Sequence, residues 1–261
     1  EDNGIAATPL FAKLDSLSSP MAMVAQAHAL PDQFVTPFML GVPKDADASQ
    51  VMIAAEMSVK SGVMFVDGST FSFNRKIDKA IREAHTVYRP IAGRYLSAMP
   101  SDAVMGLFVN VDGNKFIELM RSNRSLQAML AGINAAIDMD NIIKSVDGDM
   151  AVITPKYLDD RLSMSMAAEL AHAGWLSDVD YWKQSVPQGG RIIDWKENAY
   201  KYTDGKTTFC FGVSADNQFY SGSSPEDAMA LLGQSETPIS KALQQKVKGQ
   251  KMALVINIGA L

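Results

Sequence analysis

The chain has 261 residues, 47% of them apolar and 20% charged, with a net charge of −5. That is the balance of an ordinary globular protein with a core to bury. It excludes the basic stripe that a nucleic-acid binder needs and the polybasic surface of an electrostatic membrane binder.

In chain order, the opening EDNGIAATPLF has neither the basic nor the apolar region of a signal peptide. MAMVAQAHAL at 21–30 is rich in helix formers. It matches MGLFVNVDG at 105–113 and MALVINIGAL at 252–261, however, and the first and last copies share Met, Ala, Val, Ala and Leu. The partners carry β-branched residues, so a strand is predicted over 21–28. VMIAAEMSV and GVMFVDGSTFSF then form a hairpin over Lys60-Ser61-Gly62, and NRKIDKAIREAHTVYRPI is an amphipathic helix ending before Pro90. Pro, Gly and Ser concentrate in PIAGRYLSAMPSD, which predicts a smaller α+β domain at 1–95 and a larger one at 96–261. The first reads as a shortened repeat, and the second ends in a strand that would begin another.

In the larger part AVMGLFVNV is a strand, NKFIELMRS and SLQAMLAGINAAI have helical spacing, and MDNIIKSV is a short helix. MAVIT and RLSMSMAAEL are strands, and SDVDYWKQS is a helix with Ser177 as its cap. RIIDWKENAYKYT, TTFCFGVSA and QFYSGS follow as three antiparallel strands. In SPEDAMALLG, Ser224 caps a helix, Pro225 opens it and Gly233 ends it. The fold class expected is α+β, with mainly antiparallel sheets, helices on one face, and a weakly repeated β-α-α-β-β-α-β-β-β-α unit.

The phrases RYLSAMPSDAVMGLFVNVDGNKFIELM, NIIKSVDGDMAVI, DVDYWKQS and FGVSADNQFYSGSSPEDA carry a resemblance. From about residue 18 onward the chain resembles a domain-of-unknown-function family of Bacteroidetes envelope lipoproteins. The resemblance implies an internal portion of a longer, exported protein held at a membrane by a lipid anchor outside this sequence. It carries no activity to any residue.

The motifs tested for chemistry favour structure. Setting Gly148 or Gly113 at the sixth position of a calcium loop leaves Ile143 or Phe108 at the first position and Thr154 or Leu119 at the twelfth, so both registers fail. Asp-Gly recurs at 67–68, 112–113, 147–148 and 204–205, and all four pairs are read as turns. Gly205-Lys206-Thr207 lacks the earlier glycine of a phosphate loop. His28, His85 and His172 show no metalloprotease spacing, and no Gly-x-Ser-x-Gly elbow occurs. Acid pairs such as Asp138/Asp140, Asp159/Asp160 and Asp178/Asp180 read as caps and solvated turns. Cys210, in a strand pattern, reads as a buried inert thiol.

All three tryptophans lie between 175 and 195. Trp175, Trp182, Trp195 and Tyr200 are therefore the candidate ligand-binding residues, either as a platform for sugar rings or a protein partner, or as core beneath helix 177–185. No catalytic residue, metal ligand or cofactor is expected. The function expected is a non-enzymatic cell-envelope protein that binds or scaffolds, with protein or glycan as partner and the membrane reached only through the anchor. The alternatives are a glycan-binding module using the 175–202 aromatics and an unrecognised hydrolase.

Overall fold

A computed structural model describes residues 7–30, 39, 42, 46–60, 63–121, 137–158, 161–187, 189–257 and 259. The predicted helix SLQAMLAGINAAI, all but its last residue Ile137, lies outside the described residues, as do Ser61-Gly62 and Asp159-Asp160. The chain divides into two compact units, Glu1–Thr86 with Leu119–Gln127, and Val87–Glu118 with Ala128–Leu261.

The first unit starts with α1 (Pro9–Asp15), capped by Thr8, whose hydroxyl accepts from Phe11 N. Its sheet has the order β1-β2-β3 from β1 (Met21–Gln26), β2 (Val51–Lys60) and β3 (Val63–Ser72), all antiparallel. The repeat therefore predicts the strand at 21 correctly, although 27–29 turn into a 3-10 helix. α2 (Arg75–His85) begins where the Asn74 carboxamide accepts from Lys76 N and Ile77 N. Its Ile77 and Ile81 meet Val51, Ile53, Ala27 and Val42 in the core of this unit.

The second unit is built on one antiparallel sheet of nine strands. They are β4 (Tyr88–Arg89), β5 (Met105–Asp112), β6 (Val146–Thr154), β9 (Ser165–Leu170), β10 (Arg191–Lys196), β11 (Ala199–Thr203), β12 (Thr208–Val213), β13 (Gln218–Gly222) and β14 (Met252–Ile256). The order is β10-β11-β12-β13-β9-β6-β5-β14, with β4 also pairing β5. A small hairpin of β7 (Tyr157–Leu158) and β8 (Arg161–Leu162) interrupts the predicted strand RLSMSMAAEL. RIIDWKENAYKYT, expected as one strand, folds back on itself. Asn198 takes φ of 52° between β10 and β11, a backbone region asparagine tolerates.

The helices of this unit are α3 (Gly113–Arg121) as far as Glu118, α4 (Met139–Lys144), α5 (Val179–Ser185), α6 (Pro225–Met229) and α7 (Lys241–Val247). Ser224 and Pro225 open α6 as the sequence predicts. Ser177 does not cap α5; its hydroxyl donates to Gly174 O within a 3-10 turn at Gly174–Asp178. The α+β class holds, but the helices expected on one face lie on both. Cys210 and Phe211 are neighbours in β12 and so point to opposite faces. Ala228 of α6 packs with Cys210 and Tyr220, whereas Trp182 of α5 packs with Phe211. Beneath α7 and the segment 91–103 lies an apolar cluster with Tyr95, Met99, Phe108, Ile153, Leu231 and Val247.

Candidate functional site

The sequence-predicted aromatics do not form one surface. Trp175 and Trp182 are 3% and 5% exposed and lie stacked, ring centroids 5.9 Å apart, against Phe219 and Phe211. Trp175 Nε1 donates to Ser145 Oγ at 3.2 Å, which satisfies its polar edge inside the core. Tyr200, half-buried, shares this face through Phe211, and Lys183 Nζ lies 5.3 Å from its ring centre. Trp195 belongs to the other face, edge-on to Tyr220 and beside Lys196. Two of the four rings are thus core and the other two face opposite sides.

The Asp-Gly pairs also depart from expectation. Only Asp204-Gly205 is a turn, its carboxylate accepting from Lys206 N and Thr207 N. Asp67-Gly68 lies inside β3. Asp112 caps α3 by accepting from Asn114 N and Lys115 N, and Gly113 lies where a side chain would collide with Ile143 O. Asp147-Gly148-Asp149 is part of β6, at a bulge where the pairing with β9 shifts between Val146 and Met150.

That bulge builds a polar corner. Asp149 is 2% exposed, and its two oxygens accept four hydrogen bonds: Ala92 N at 2.9 Å, Gly93 N at 2.6 Å, Arg94 N at 2.7 Å and Asn110 Nδ2 at 2.8 Å. Three consecutive backbone amides are thereby pinned, so Asp149 fixes the loop that joins β4 to β5. Glu169 Oε2 accepts from Asp149 N at 2.7 Å, and Gly148 at φ 144° leaves room for that carboxylate. Asp147 pairs with Arg89, which also donates to Asn110 Oδ1 and Val111 O.

The pinned loop presents Arg94 and Tyr95 to a cleft of about 400 Å³ lined by Arg94, Tyr95, Ser97, Gln218, Leu231, Leu232, Gly233 and Gln234. Its walls are joined by Ser235 N donating to Ser97 O and Ile239 N donating to Met99 O. Arg94 Nη2 donates to Asp216 at 2.6 Å, and Arg94 Nε lies 3.4 Å from Gln218 Oε1 and 3.9 Å from Glu169 Oε1. Gln218 Nε2 donates to Asp216 at 2.6 Å. The Asp216 carboxyl is held below its ordinary range, first by the Ser214 hydroxyl and more weakly by Gln218 and Arg94. Tyr95 makes the floor at 2% exposure, its hydroxyl has no partner among the described residues, and burial raises its pKa, with Glu169 adding to the effect. Ser97 Oγ and the Gln234 carboxamide likewise make no hydrogen bond among the described residues.

None of these cleft residues was singled out from sequence. The available signal was that Asp149 falls on the inward phase of MAVIT, where an acid must find donors.

No group of three or more His, Cys, Asp or Glu side chains able to hold a metal occurs among the described residues. His172 Nδ1 accepts from Gly174 N, and His28 lies exposed in the first unit. Cys210 is fully buried, and burial raises its thiol pKa. No described helix is long and apolar enough to cross a membrane, which says nothing of strands.

The sequence matches no family model and no curated protein. Among solved structures, crystal forms I and III of TP0453 resemble the chain over 63% and 62% of its length, with 12% identity and TM-scores of 0.40 and 0.38. The chain spans just over six tenths of those structures, 63% and 62%. At that remove the likeness supports no statement about function.

Proposed function

We propose that the chain is a non-enzymatic binding protein of the cell envelope whose ligand seats in the Arg94–Tyr95–Gln218 cleft. The observation that carries this reading is how the charges around the cleft are employed. Asp149 saturates its oxygens on four donors, and Arg94 is braced by Asp216 and Gln218. Such groups hold a loop and a guanidinium in place, which is the preorganisation that binding rewards. The envelope setting is supported by the resemblance to lipoprotein phrases. The aromatic platform loses support as a binding surface because Trp175 and Trp182 are needed inside.

The test is saturation-transfer NMR on the full chain with a panel of small neutral, anionic and cationic compounds. A compound that contacts wild type and loses contact in Gly233→Trp supports the cleft. Gly233 suits this test, since a Cβ there meets nothing within 4 Å. Hits indifferent to Gly233→Trp overturn the cleft, and conversion of any hit to a new product overturns the non-enzymatic reading.

A further inference from the structure

We infer that the Arg94 cleft takes a neutral, hydroxyl-rich ring, a single sugar or cyclic polyol, rather than an anion or a cation. The inference rests on reading the cleft as a ligand site and adds the ligand's class.

Charge decides first. Arg94 is the cation lining the cleft, and two carboxylates, Asp216 at 2.6 Å and Glu169 at 3.9 Å, stand against it. An anion entering here meets a guanidinium already answered and a net negative surround. A cation meets the guanidinium itself. A hydroxyl can do both jobs, accepting from a guanidinium N–H and donating to a carboxylate oxygen.

The remaining lining groups agree. Ser97 Oγ and the Gln234 carboxamide each donate and accept, and both are unpartnered among the described residues. Tyr95, also in the lining, is 2% exposed and keeps its hydroxyl out of solvent, so the polar contacts open to a ligand come from Arg94, Ser97 and Gln234. Leu232, half-buried beside the core residue Leu231, is the apolar side chain the cleft offers to the C–H edge of a ring. About 400 Å³ is at the small end of ligand pockets and suits one ring rather than a chain of them.

The experiment is an amide-detected NMR titration of the full chain with myo-inositol, N-acetylglucosamine and methyl galactoside. Inorganic phosphate, succinate and ethanolamine are the contrasting arms. The expected result is shifts at Ser97, Gly233 and Gln234 with at least one neutral ring and with none of the ions, and a loss of affinity of about tenfold or more in Gly233→Trp. Shifts at those amides with an ion, and none with the rings, overturn the ligand class and leave the cleft as a site. Shifts at those amides with no compound, or ring binding unaffected by Gly233→Trp, overturn the class and the cleft together. The amide spectrum away from residues 91–99 and 231–239 reports that Gly233→Trp is folded.

Discussion

Two regions of the nine-stranded sheet, around β12–β13 and around β6, are assembled by opposite means. On the α5 side, Trp175, Trp182, Phe211 and Phe219 fill a dry interior, and hydrophobic burial and ring packing do the stabilising. At the β6 bulge a carboxylate fully out of solvent organises a loop through directed hydrogen bonds. The aromatic side is tolerant in direction and intolerant in volume. The polar corner is the reverse, because each donor has one acceptor position to meet. A ligand cleft grows from the second kind of construction, where groups are fixed without being consumed.

The largest expected effect tests the aromatic side. Trp182→Ala removes a ring between Trp175 and Phe211 and leaves a cavity, at a cost of about 3–5 kcal/mol. Urea unfolding followed by the fluorescence of the two remaining tryptophans reads it directly, because all three lie in the second unit. A loss under about 1 kcal/mol would mean that the stack is not core.

Asp149→Ala tests the corner. It strands the amides of Ala92, Gly93 and Arg94 together with Asn110 Nδ2. Ala92 and Arg94 are exposed, so part of the loop can turn to water, and the expected cost falls to about 2–3 kcal/mol. The distinguishing readout is local. Hydrogen exchange should rise at 92–94 in Asp149→Ala and stay unchanged there in Trp182→Ala. Equal exchange in both would erase the distinction between the two regions.

These two regions also show how much the sequence disclosed. Element type was legible wherever apolar period and cap residues agreed, as in α2 with Asn74 and α6 with Ser224-Pro225. The repeat even overrode the helical propensity of MAMVAQ. The hairpin at Asn198 was missed because Lys196-Glu197-Asn198 lacks the glycine that usually marks such a turn, and α1 and α7 were missed although Thr8-Pro9 and Ser240 are cap signals of the kind that marked α6. The cleft was illegible for a different reason. Its walls come from residues near 94, 218 and 232, brought together by sheet order, and no local pattern encodes that. Asp147-Gly148-Asp149 looked like a turn because Asp-Gly is turn chemistry; pairing with β5 held it in the sheet and the bulge re-aimed its side chains.

Gly148→Ala is a finer cut at the corner. The backbone at φ 144° resists any side chain, and a Cβ would also press on the Glu169 carboxylate. The expected loss is about 1–2 kcal/mol. Combining it with Glu169→Ala should return part of that loss by removing the carboxylate from the collision, although the Cβ of residue 169 stays, whereas a purely backbone origin predicts simple addition.

The smallest effect separates hydrogen bonding from ion pairing at the cleft mouth. Asp216 is more than half exposed, so its attraction to Arg94 is screened, and Arg94→Gln should cost no more than about 1 kcal/mol. Because the Asp216 carboxyl titrates below its ordinary range in the folded chain, its contribution is present above the unfolded carboxylate pKa. It is lost as pH falls through the folded value. The leading cause of the depression is the Ser214 hydroxyl, which donates to Oδ1 at 2.7 Å. Ser214→Ala should therefore raise the Asp216 midpoint, followed by carboxyl NMR, further than Arg94→Gln does. The reverse order would make the Arg94–Asp216 contact an ionic clamp, with the guanidinium rather than the Ser214 hydroxyl setting where the carboxyl titrates.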